Sequence, residues 1–249
     1  MTATIYYDNL NSRSATLTDG TTGSFVFSSS DVLSNELRAV DGNITDVIGG
    51  WAVNEGLQFN FGTAVNPTFC AIYSTVATGN DILIQRDDAA SGTFNGIVNT
   101  INDIVVGWNI RTLTELQMQY WTINSAVGDL TGISEIFFGN PFELPVQPTA
   151  NIIEEHTYGS EEVKALGANR YYFSKHNNFK TLSLDHMTSA NKTSLETFAN
   201  TVTDREPFIY SEDGTTGPFH WVRLVRPLTF RQVAPDIYST QLVLRQLTA

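Results

Sequence analysis

The segment Pro141-Phe142-Glu143-Leu144-Pro145-Val146-Gln147-Pro148-Thr149-Ala150-Asn151 holds three of the chain's eight prolines. Each proline removes a backbone donor and fixes φ, so neither a regular helix nor a central strand runs through it. It reads as an extended linker, which predicts a domain over residues 1–144, a linker at 145–151 and a second domain over 152–249.

Working upstream, short apolar or alternating segments recur between turn residues: Ser24–Phe27, Gly56–Phe61, Phe69–Thr75, Asp81–Arg86, Val105–Arg111, Glu115–Ile123 and Ser134–Phe138. That spacing predicts an all-β sandwich. Downstream, Tyr171–Phe173 and Lys180–Met187 read as strands, and a helix is predicted over Ser189–Thr203. Leu195, Phe198, Ala199 and Val202 fall at i, i+3, i+4 and i+7 and form one apolar stripe that must pack on a sheet. Thr188 or Ser189 caps the start, and Pro207 stops continuation beyond Glu206. Phe208–Ser211, Phe219–Val225 and Tyr238–Gln246 follow as strands. The expected fold class is mainly β: a sandwich, then a compact α+β unit with one helix packed on an antiparallel sheet.

The 249 residues are 41% apolar and 16% charged, which suffices for folded cores and excludes intrinsic disorder. No window reaches the roughly 18 to 20 apolar residues of a membrane-spanning helix, and MTATIYYDNL has neither the basic start nor the apolar core of a signal peptide. A soluble chain without membrane insertion is therefore expected. Residues 1–149 contain 4 Arg, no Lys and 15 Asp/Glu, whereas 150–249 contain 10 basic and 11 acidic residues. The acidic first part repels phosphates and disfavours a general nucleic-acid binder; a cation, a neutral sugar or a protein remains open as partner.

Catalytic motifs are sparse. GxSxG is absent, and His156, His176, His186 and His220 form neither HxH nor HExxH. His186 shares the predicted strand face of Leu182 and Leu184 and reads as a packed histidine, as does His220 before Trp221. The acidic pairs Asp87-Asp88, Glu154-Glu155 and Glu161-Glu162 read as solvated loop carboxylates, the last two flanking a hairpin. The single cysteine, Cys70, excludes an intramolecular disulfide and reads as a small core residue. The expectation is a protein that is not an enzyme, with no catalytic residue and no organic cofactor.

Two resemblances add to this reading. Arg38-Ala39-Val40-Asp41-Gly42-Asn43-Ile44-Thr45-Asp46 with Trp51, then Gly56-Leu57-Gln58-Phe59-Asn60-Phe61-Gly62, Gln119–Ile123 and Ile133–Gly139, resemble in order the motifs of galactose-binding-like (discoidin-type) jelly-roll domains. That resemblance implies a jelly-roll β-sandwich over residues 1–144. Asp41 and Glu135 match positions that help hold a structural calcium ion in that family, where hard oxygen ligands suit the cation. Asp41-Gly42-Asn43 is equally readable as a plain tight turn.

The second resemblance covers residues 160–249: Gly167-Ala168-Asn169-Arg170-Tyr171-Tyr172-Phe173, Leu182-Ser183-Leu184 leading into the helix, Arg205–Tyr210, Val222–Phe230, Ala234–Tyr238 and Leu242–Arg245. These are similar to the tail-tube-like domains of tailed-phage distal-tail and minor-tail proteins. The implied function is a structural component of a tail tip or baseplate, a homohexameric ring joining the tail tube to host-recognition parts. Implied partners are copies of itself, other tail-tube, tail-tip and baseplate proteins, and a host-surface glycan. The implied location is the virion tail, after assembly in the host bacterial cytoplasm. The alternative is a carbohydrate-binding module or adhesin with no tail role.

Overall fold

The structure, a computed structural model, describes residues 3–10, 12, 15–21, 44, 47, 55–87, 97–114, 116–125, 131–148, 153–164, 170–203 and 206–247. The chain divides into two units, residues 6–141 and residues 1–5 with 142–248. The first strand, β1 (Thr4–Tyr6), begins the second unit's sheet.

The sandwich comprises β2 (Thr16–Thr21), β3 (Glu55–Val65), β4 (Phe69–Ser74), β5 (Ile82–Asp87), β6 (Ile97–Ile101), β7 (Gly107–Thr112), β8 (Met118–Ser125) and β9 (Ile133–Gly139). They form a five-stranded sheet, β2-β3-β8-β5-β6, and a three-stranded sheet, β7-β4-β9, with every recorded pair antiparallel. Period-2 alternation builds the core: Leu57 pairs Ile123 and Phe59 pairs Trp121 in one sheet, while Cys70 pairs Phe138 and Ile72 pairs Ile136 in the other. All eight are fully buried in one cluster. Phe138 bridges the sheets, with its ring 5.2 Å from Phe59 and 5.7 Å from Trp121. Each such side chain contributes roughly 1.5–3 kcal/mol by leaving water.

Entry to and exit from the sandwich are tied together by side chains. Asn140 N–H donates to Asn9 Oδ1 (2.8 Å), and Asn9 Nδ2 donates to the Asn140 carbonyl (3.0 Å). The Phe138 N–H donates to buried Ser12 Oγ (2.8 Å). Gly139 permits the close passage, since a Cβ there would lie 2.3 Å from the Tyr7 carbonyl oxygen.

The second unit adds β10 (Phe142–Glu143), β11 (Ile153–Lys164), β12 (Arg170–Met187), helix α1 (Ser189–Val202), β13 (Phe208–Ser211), β14 (Phe219–Leu224), β15 (Arg231–Ala234) and β16 (Ile237–Gln246). Its eight-stranded sheet runs β10-β1-β13-β14-β16-β12-β11, with β15 also on β16. The Thr188 hydroxyl accepts from Asn191 N–H and caps α1. Leu195, Phe198 and Val202 are buried as the periodicity requires, while Ala199 is only half-buried. Phe198 stacks on Phe142 (5.1 Å) and meets Phe208 edge-on (5.3 Å), so the helix is anchored to β10 and β13.

The units are nested, which differs from the serial division expected from the prolines. The chain divides at Pro141 and Phe142 instead of 145–151, and residues 1–5 go with the C-terminal unit. A two-residue strand, β10, forms inside the proline-bearing segment because it lies at the sheet's margin, with β1 as its only neighbour among the described residues. The expected strand at Ser24–Phe27 lies outside the described residues. Glu154-Glu155 and Glu161-Glu162 do not flank a turn: all four lie along β11.

His186 also differs from expectation. The strand carrying it makes a bulge between Leu184 and Met187, with His186 at φ 60°. The extra residue shifts the alternation, so Leu182, Leu184 and Met187 are buried and His186 faces solvent.

Candidate functional site

The two longest strands, β11 and β12, pair without interruption from Ile153↔Thr181 to Lys164↔Arg170 and build one long hairpin. Its root is fastened by Lys180. Glu154 stands directly opposite Lys180 in the ladder, with Nζ 3.2 Å from Glu154 Oε1. The same ammonium pairs with Glu212, just beyond β13, and lies 5.6 Å from the centre of the Tyr210 ring. The lysine side chain is only 12% exposed, whereas its two carboxylate partners are substantially exposed. An ammonium shared by two carboxylates and a ring is a fastener between strands distant in sequence.

Tyr210 is fully buried, and burial followed by the Glu212 charge pushes its phenol well above the ordinary range. His220 faces it across the β13–β14 ladder, with rings 6.3 Å apart. Burial first, and the Lys180 charge second, lower the His220 pKa from 6.5, against the opposing pull of Glu212 and Glu154. A cavity of about 120 Å³ opens here, lined by Glu154, Asn178, Lys180, His220, Val222 and Gln246. Local sequence pattern does not reveal this cluster, because its members lie on five separate segments, β11, β12, β13, β14 and β16.

At the sheet margin, β11 has a neighbour on one side only among the described residues, so its twelve residues form an edge there. Exposed edges of this length are templates for further strand pairing.

The sandwich carries a second feature. On the face of the five-stranded sheet turned away from its core, Gln58, Thr122 and Gln85 form one cross-strand row. All three are buried, and Gln58 Nε2, Thr122 Oγ1 and Gln85 Oε1 have no hydrogen-bond partner among the described residues. Buried polar groups are normally satisfied by protein or by water, so this row marks a polar layer on the sheet face opposite the apolar core.

Of the two expected cation ligands, Asp41 lies outside the described residues. Glu135 is fully buried in β9, in register with Tyr73 of β4, which in turn pairs with Trp108 of β7. Among the described residues no group of three or more His, Cys, Asp or Glu side chains is placed to hold a metal ion. Cys70 is buried and its thiol is pushed up by desolvation, as suits a core residue. Among the described residues, no helix is long and apolar enough to cross a membrane.

No known protein family and no curated protein matches the sequence. Several solved structures are similar. A selenomethionine-labelled mutant of chitosan-binding module 1 from a chitosanase/glucanase of Paenibacillus sp. IK-5 shares 20% identity, over 54% of this chain and all of that one (100%), at a TM-score of 0.39. CpGH89CBM32-5 from Clostridium perfringens, solved with GalNAc-β-1,3-galactose, shares 10% over 52% and 98% of the two chains, at 0.39. Chitosan-binding module 2 of the same Paenibacillus enzyme, solved with chitotriose, shares 12% over 50% and 95%, at 0.38. The molecule is a mainly β protein in which the sequence of a jelly-roll β-sandwich is inserted between β1 and β10 of a second, helix-bearing antiparallel sheet.

Proposed function

We propose that the chain is a non-catalytic structural protein of a tailed-phage tail tip or baseplate, whose sheet unit closes into a ring and carries the sandwich as a display module. The single observation behind this reading is the edge of β11, which among the described residues is paired on one side only. Strand pairing between copies hides such an edge, and a cyclic ring requires the two contacting surfaces to differ, as β11 and the opposite margin β10 do. The resemblance of residues 160–249 to distal-tail proteins supports the tail location and a hexamer. The test is electron microscopy of the purified chain and of virions labelled against it. Six-fold rings at the tail tip are expected. A monomer at high concentration together with unlabelled tails would defeat the reading.

A carbohydrate-binding module or adhesin without a tail role is the second reading, favoured by the resemblance of the sandwich segments Gly56–Gly62, Gln119–Ile123 and Ile133–Gly139 to galactose-binding-like domains. Some solved structures similar to this chain were determined with bound saccharides, chitotriose and GalNAc-β-1,3-galactose among them. A calcium ion held by Asp41 and Glu135 belongs with either reading. Glycan-array binding by a monomeric chain would select the second.

A further inference from the structure

The face of the second sheet turned away from α1 carries a row of arginines. Arg223 lies between buried Val222 and Leu224 on β14, so its side chain leaves on the opposite face. Arg245 follows buried Leu244 on β16, and the two arginines are direct partners in the β14–β16 ladder. Arg231 pairs with Ser239, which shares this face of β16 with Gln241, Val243 and Arg245 by alternation. Arg226 reaches the same face, where its Nη2 donates to Gln241 Oε1 at 3.4 Å. A depression of about 510 Å³ lies there, lined by Ser183, Arg226, Arg231, Ser239 and Gln241, with Asp185 as its one carboxylate.

Arg223, Arg231 and Arg245 form no ion pair among the described residues, although like charges directly opposite in a ladder repel each other. Two guanidinium forks side by side suit carboxylates, which they bind in a planar, bidentate way.

We propose that this arginine face is the docking surface for the acidic sandwich of a second copy of the chain. The charge distribution names the occupant: residues 6–141 contain 14 acidic against 4 basic residues. The whole chain carries a net charge of −12, which repels a free phosphate polymer at a distance, whereas a neighbouring copy is held close by the strand edge. The inference rests on the ring reading and adds a salt-sensitive contact to it.

The experiment is sedimentation of the full-length chain at about 50 and 500 mM sodium chloride, a range over which exposed charges pass from weakly to strongly screened. It compares wild type with the double variant Arg223→Gln/Arg245→Gln. At low salt the variant should associate about tenfold more weakly or worse, with a flattened salt dependence and no loss of melting temperature, since the opposed charges are removed from the ladder. The reverse-charge pair Arg223→Glu/Arg245→Glu should weaken association further. Wild-type rings that Arg223→Gln/Arg245→Gln leaves unaltered would overturn the docking face alone. A wild-type chain monomeric at both salts would overturn the ring as well. If the variant instead loses retention on single-stranded DNA while its association is unchanged, the face is a phosphate site and the proposal is wrong.

Discussion

Thr4 and Glu143 lie directly opposite each other in the β1–β10 ladder, although nearly the whole sandwich separates them in the chain. The neighbouring pair is Ile5 and Phe142, so the sandwich enters and leaves at adjacent ladder positions. It is a loop insertion in a sheet that is continuous without it.

Replacing residues 6–141 by a turn of about two to five residues should therefore leave a folded sheet unit with helix α1 intact. Residues 152–249 alone should fail, because they lack β1 and β10 beside β13 and the Phe142 ring against Phe198. Circular dichroism melting distinguishes the two. A cooperative transition for the 152–249 fragment, equal to that of the turn-closed unit, would contradict the nesting.

Lys180→Met removes the ammonium held by Glu154 and Glu212. Both carboxylates are substantially exposed, so the loss should be about 1–2 kcal/mol, well short of that for a fully buried pair. Glu154→Gln, at a more exposed partner, should cost less than about 1 kcal/mol. Urea unfolding of the full chain measures both, and no loss in Lys180→Met, which keeps the packed stem, would mean that Lys180 acts only through packing.

His220 has its pKa lowered below 6.5 in the folded chain, so between the folded and unfolded values the unfolded state binds more protons. Stability from this group is full above about pH 6.5 and is lost as pH falls toward and through the folded value. His220→Gln should flatten the decline of melting temperature between about pH 7 and 5. An identical decline in the variant would assign the pH dependence to other groups.

At His186 the bulge holds a non-glycine residue at φ 60°. His186→Gly relieves that conformation and should stabilise or be neutral, within about 1 kcal/mol. His186→Val, β-branched in the same conformation, should destabilise by about 1–3 kcal/mol. Thermal melts should place His186→Val below both wild type and His186→Gly; the same shift for both variants would exclude backbone strain as the cause.

Calcium should raise the melting temperature by mass action if Asp41 and Glu135 hold the ion, and EDTA should reverse it. Asp41→Asn should abolish the calcium response. Superimposable melts with and without calcium would leave Asp41-Gly42-Asn43 as a turn.

Local pattern alone determined a good deal of this protein. The stripe of Leu195, Phe198 and Val202 with Thr188 before it and Pro207 after it defined the helix, because α-helical periodicity and capping are properties of neighbouring residues. The alternation around Phe59, Cys70, Trp121 and Phe138 likewise marked sandwich strands. What tertiary structure decided was pairing over distance. Three residues at the N-terminus are too short to announce themselves as a strand, and their place between β10 and β13 depends on partners more than a hundred residues away. The Lys180 cluster, the row of Gln58, Thr122 and Gln85, and the Arg223–Arg245 pair share that origin: each is made by ladder register, and register between distant strands is set by the assembled core. The bulge at His186 shows the limit from the other side, since one extra residue turned a side chain from the core to solvent within a strand that local alternation had read as regular.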